Sequence, residues 1–130
     1  MKKRNLLLTF IMALFCISSC SNKNNNNTNN DDNKNIKYVL TSYSNPSGNF
    51  EASEMYEYYY LIFYSNSKEM EITYKNNGES NEIKKYGVYE KLEHSYFCKV
   101  DGIELTYQIT SETTLSTSYM FIEMNFKLEN

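Results

Sequence analysis

After residue 35, apolar and polar residues alternate along most of the chain with the two-residue period of half-buried strands, and no helical period runs for ten residues. Residues 36–43 place Ile36, Tyr38 and Leu40 on one parity and Val39 and Tyr43 on the other. Asn45-Pro46-Ser47-Gly48-Asn49 then ends this first strand with turn chemistry, since Pro fixes φ and Gly accepts positive φ. Residues 50–57 suit a strand or one or two helical turns equally well. Residues 56–64 read Tyr-Glu-Tyr-Tyr-Tyr-Leu-Ile-Phe-Tyr, apolar or aromatic on both parities, which predicts a central strand covered on both faces. Residues 69–75 alternate cleanly, with Met70, Ile72 and Tyr74 inward and Glu69, Glu71, Thr73 and Lys75 outward.

Two dipeptides predict hairpins, because both central residues of a type I′ turn need positive φ. If Asn77-Gly78 is a complete loop, Ile72 faces Ile83 and Glu71 faces Lys84. The parity then slips at Tyr86 and Val88, which predicts a bulge near Lys84-Lys85. Asp101-Gly102 as a loop pairs Val100 with Ile103, Cys98 with Leu105 and Tyr96 with Tyr107 on one face, and Lys99 with Glu104 on the other. An apolar ladder and an ion pair from one register support each other. A Ser/Thr-rich loop over residues 110–118 comes next, then a last strand with Met120, Ile122, Met124, Phe126 and Leu128 inward. The expected fold is all-β, a small antiparallel meander of about seven to eight strands that is barrel-like, with a β-sandwich as the alternative.

The chain before this domain has a different character. Met1-Lys2-Lys3-Arg4 is a basic start, and residues 6–17 are apolar except for Thr9, a secretory core too short to span a bilayer comfortably. Ile17-Ser18-Ser19-Cys20 resembles the lipobox of bacterial lipoproteins, an aliphatic residue and two small ones before the cysteine that takes the lipid. The resemblance implies cleavage before Cys20, lipidation of its thiol, and a mature chain held by acyl groups at a membrane outside the cytoplasm, in the outer membrane or at the cell surface. Three segments follow: a signal peptide at 1–19, the lipidated Cys20 with an Asn-rich tether at 20–35, and the all-β domain at 36–130. The tether has no apolar side chain after Cys20, so nothing offsets the entropy of ordering it.

Charge and cysteine usage narrow the chemistry. Without Lys2, Lys3 and Arg4, ten of the thirteen basic residues face sixteen acidic ones, a formal charge of −6 where the whole chain has −3. Nucleic acid is therefore not an expected partner, since phosphate binding needs clustered cations. Cys16 leaves with the signal and Cys20 carries lipid, so Cys98 has no disulfide partner and is expected buried and inert. One histidine, His94, beside a turn, supports neither a triad nor a metal site. Asp101 is explained by its turn and Glu104 by Lys99, so neither is needed as a general acid or base. No catalytic residue, metal or cofactor is expected.

The run from Tyr60-Leu61-Ile62-Phe63-Tyr64 through Tyr86-Gly87-Val88-Tyr89-Glu90 to Ile103-Glu104-Leu105-Thr106-Tyr107 resembles the lipocalin-like domains of small bacterial lipoproteins. In those, an aromatic strand is followed by a Gly-x-Tyr strand and an alternating one. The resemblance implies a meander barrel able to hold a small apolar ligand. The expected ligand-binding residues are Met70, Tyr107, Met120 and Met124, a soft and adaptable lining. The competing expectation is a surface or periplasmic protein-interaction module, adhesin-like or an enzyme inhibitor, using aromatics such as Tyr59, Tyr89 and Phe97.

Overall fold

A computed structural model describes residues 34–130. The proposed signal peptide, Cys20 and nearly all of the tether lie outside the described residues. Among the described residues, nine strands form one antiparallel sheet: β1 (Ile36–Asn45), β2 (Gly48–Glu51), β3 (Tyr56–Phe63), β4 (Glu69–Asn76), β5 (Ile83–Lys91), β6 (Ser95–Val100), β7 (Ile103–Ser111), β8 (Thr114–Tyr119) and β9 (Ile122–Leu128). From β3 to β9 each strand pairs with the next, and β1 pairs with both β3 and β9. The sheet thus closes into an eight-stranded barrel, with β2 as an extra strand beside the far half of β1. Closure leaves no free edge around the barrel wall.

The fold decides the barrel against the sandwich, and the eighth barrel strand comes from the segment expected to be a loop. In β8, Leu115 and Thr117 point inward and are buried, and the Thr117 hydroxyl donates to the Thr106 carbonyl at 2.8 Å. Thr is β-branched and suits a strand, but Ser and Thr on the outer face disguise the alternation. The ambiguous stretch after Phe50 holds a single 3-10 turn, Ala52–Glu54. Stacking of Phe50 on Tyr43 at 5.2 Å anchors β2 to β1.

The Asp101-Gly102 hairpin has the expected register throughout, including Cys98 opposite Leu105 and Lys99 opposite Glu104. Asp101 and Gly102 both have positive φ, at 52° and 77°, as a type I′ turn requires. The first hairpin differs from expectation. Tyr74, not Ile72, faces Ile83, and Thr73 faces Lys84. Gly78 has φ +78° whereas Asn77 stays out of the left-handed region, the pattern of a type II turn. Such a turn does not match the strand twist, and pairing resumes only at Ile83. The bulge expected near Lys84-Lys85 is not there: Ile83, Lys85, Gly87 and Tyr89 stay on the inner face, while Tyr86 and Val88 are 63% and 49% exposed outside. A register shift does occur in β1, between Leu40 and Ser42. It explains why the inward residues of β1 change parity from Tyr38 and Leu40 to Tyr43.

Gly87 is required where it stands. It faces Met70 and Val100 on its two neighbouring strands, and a Cβ there would lie 2.3 Å from the Lys99 carbonyl oxygen. Around it the barrel is filled. Phe63 stacks on Tyr96 at 4.4 Å and meets Tyr89 and Tyr38 edge-on, with Met70 and Cys98 fully buried nearby in the same core. This filled end carries residue 34, the C-terminus and the turn between β3 and β4. The opposite end carries the turns at 77–82, 101–102 and 120–121.

Candidate functional site: the barrel mouth

At that opposite end the inward side chains do not close the barrel. A cavity of about 240 Å³ remains, walled by Tyr56 and Tyr59 of β3, Ile72 and Tyr74 of β4, Leu105 and Tyr107 of β7, and Met124 of β9. Lys85, Asp101, Ile103 and Tyr119 line it as well, and the last three are exposed at the rim. The volume lies just under the roughly 300–1,000 Å³ of drug-sized sites, so it suits a small ligand.

Three tyrosines make one side of the wall. Tyr59 and Tyr74, opposite each other in the register, stack at 5.2 Å with their planes 13° apart. Tyr56 meets both edge-on, at 5.2 and 5.8 Å, brought onto this face by a register shift between Tyr56 and Tyr58. Burial pushes the Tyr59 phenol up, and the neighbouring Tyr56 and Tyr74 add to the shift. Burial likewise pushes Tyr107 well above the usual range, with Tyr59 and Cys98 contributing. Tyr59 and Tyr107 are therefore neutral at physiological pH and present hydroxyls to the wall. Tyr107 is 2% exposed, and no buried side-chain oxygen among the described residues is left without a partner, so its hydroxyl opens onto the cavity.

Among the described residues, Lys85 is the one cation in this lining. Its ammonium stands 3.7 Å from Asp101 Oδ2, and both side chains are about half exposed. The pair ties β5 to the turn between β6 and β7. No group of three or more His, Cys, Asp or Glu that could hold a metal stands among the described residues.

Of the four expected ligand-binding residues, the fold brings two together here, Tyr107 and Met124. Met70 is fully buried in the filled end and does not line the mouth. Met120 departs from its expected inward position: with Phe121 it forms the two-residue turn between β8 and β9, and both are 81% exposed. Sequence reasoning missed Tyr56, Tyr59 and Tyr74 as a wall, and Lys85 altogether. The signal for Lys85 was present in the unbroken alternation of Ile83, Lys85, Gly87 and Tyr89, which the supposed bulge hid. Tyr59 and Tyr89, expected to be exposed, both point inward; Phe97 is partly exposed, as expected. Cys98 is buried as expected, and burial pushes its thiol up to about 12. Cys20 lies outside the described residues.

Comparison with family models, with curated proteins and with solved structures finds no match to this chain.

Proposed function

We propose that this chain is an exported lipoprotein, anchored at a membrane through Cys20, whose lipocalin-like barrel binds a small, largely apolar ligand in its mouth without catalysing a reaction. The observation that carries the reading is the contrast within one closed barrel: at one end Phe63, Met70, Tyr96 and Cys98 fill the interior beneath a shallow surface concavity, and the other keeps a solvent-connected cavity with tyrosines on its wall. Apolar cavities with a few polar groups are where small ligands bind. The placement of the chain fits as well. Residue 34 leaves from the filled end, so a tether rooted there leaves the mouth unobstructed.

Native mass spectrometry of the mature chain, purified from its own cells without denaturant, tests the reading. A co-purified small molecule released on unfolding is the expected result. A bare protein whose tyrosine fluorescence also fails to respond to small apolar and amphiphilic probes would remove the reading.

One observation favours a second reading, a protein-interaction module. The rim carries Met120 and Phe121, almost wholly exposed, between the partly exposed Tyr119 and Ile122. Met120 also has φ +54°, a conformation that costs a non-glycine residue about 1–3 kcal/mol. An envelope partner captured by the wild-type chain but not by Phe121→Ser would support this reading over the first.

A further inference from the structure

Resting on the ligand-binding reading above, we propose that the barrel mouth selects a small hydroxylated aromatic carboxylic acid, with Lys85 holding the carboxylate at the rim.

The acid follows from Lys85. An inward lysine on a wall that, apart from Asp101 and Thr117, is made of tyrosine, aliphatic and methionine side chains carries a positive charge where packing has no use for one. Its counter-ion is loose, since 3.7 Å is an ion-pair distance and not a hydrogen bond. Among the described residues its ammonium makes no hydrogen bond, so its three donors are available to a ligand. Asp101 is the one acid within ion-pair reach of Lys85 among the described residues, while Glu57 stands with Lys75 at 2.6 Å, Glu82 with Lys84 at 3.4 Å and Glu104 with Lys99 at 3.8 Å. Asp101 is thus the group a ligand carboxylate competes with.

The ring follows from the wall and the volume. Tyr59 and Tyr74 present flat faces and Tyr56 an edge, the arrangement against which another aromatic ring packs offset or edge-on. About 240 Å³ admits a ring with a short chain and excludes a long acyl tail. The hydroxyl on the ring follows from Tyr107. A phenol this deeply buried ordinarily has a hydrogen-bond partner. Here no side chain or backbone group among the described residues supplies one and the hydroxyl oxygen opens onto the cavity, so a polar atom on the inner end of the ligand has a hydroxyl to meet.

The probe is 3-(4-hydroxyphenyl)propionate, compared with the alcohol and the amine of the same skeleton by calorimetric titration of the mature chain. The acid is expected to bind about tenfold more tightly than the alcohol, with the amine weakest. Lys85→Met should bring acid and alcohol to equal affinity. Asp101→Asn should tighten the acid several-fold by freeing Lys85, and Asn is at home at this turn position. Thermal melts of both variants establish that the barrel is intact. Equal binding of all three probes by the wild type would leave the ligand-binding reading standing and overturn the acid assignment. Preference for the amine, or an acid preference that survives Lys85→Met, overturns it too. Failure of all three to bind removes the assignment together with the ligand-binding reading of this cavity.

Discussion

The two ends of the barrel are built largely from the same residue, tyrosine, and use it differently. At the filled end, Tyr38, Tyr89 and Tyr96 pack around Phe63, and the Tyr89 hydroxyl reaches the Tyr64 carbonyl at 3.3 Å. At the mouth, Tyr56, Tyr59 and Tyr74 pack on one another and leave space beside them. The neighbours make the difference. Gly87 lets β5 approach β6 closely beside Val100, and Phe63, Met70 and Cys98 fill what remains. Two residues earlier on β5 the inward residue is Lys85, too polar to fill a core, and the residues across the mouth are Thr117 and Met124. A barrel of eight strands is just wide enough for side chains to fill or for one small ligand to enter, so a few positions decide which.

The largest way to break this contrast is to open the filled end. Phe63→Ala removes a fully buried ring with three aromatic neighbours and should cost about 3–5 kcal/mol in urea unfolding. The same truncation at the mouth, Tyr74→Ala, should cost clearly less, because Tyr74 is only half-buried beside existing space. Equal losses would mean that both ends are packed alike. Gly87→Ala ranks next. Its methyl would meet backbone, not the end of a flexible side chain, and overpacking of this kind costs about 1–3 kcal/mol or more. Thermal melting of the variant measures it.

How much of this was legible in the sequence follows from where the local signals were strong. Asp101-Gly102 specified its hairpin completely, since turn type, apolar ladder and ion pair all demanded one register. Asn77-Gly78 carried a similar signal and its glycine does turn the chain, yet the loop runs on to Glu82. Whether two residues close a hairpin depends on the φ of the first, and Asn accepts both signs. The turn at Met120-Phe121 was illegible because it contains no Gly, Pro, Asn or Asp. β8 was illegible because its one large apolar inward residue before Tyr119 is Leu115. The mouth was half legible: Tyr107 and Met124 follow from strand parity, but a cavity is a property of the closed barrel and needs all eight strands in register.

A smaller test concerns the outer wall. Glu71 points outward yet is buried, accepting hydrogen bonds from Thr73, from Tyr64 at 2.8 Å and from Lys84 at 3.2 Å. Burial alone would raise its carboxyl, but these three donors outweigh it and hold the group below the ordinary value of 4.5. A carboxylate whose folded value is depressed contributes stability that is fully present above the ordinary value and is lost as pH falls through the folded one. Glu71→Gln should therefore cost about 1–3 kcal/mol at neutral pH, and the gap to wild type should shrink in strong acid. A gap that does not change between pH 7 and pH 2 would show that the charge contributes nothing.

The smallest expected effect sharpens the comparison most. At the filled end, removing a bonded phenol loses a hydrogen bond, commonly about 1 kcal/mol. Tyr107→Phe should instead be neutral or slightly stabilising in ligand-free protein, because the hydroxyl has no partner among the described residues and faces the cavity. Urea unfolding of Tyr107→Phe beside Tyr89→Phe makes the comparison internal, since the Tyr89 hydroxyl does have a partner in the Tyr64 carbonyl. A cost at Tyr107 matching that at Tyr89 would mean that ordered water completes the buried phenol without a ligand. No cost would mean that the fold keeps a polar group at the base of its mouth for which its own stability has no need.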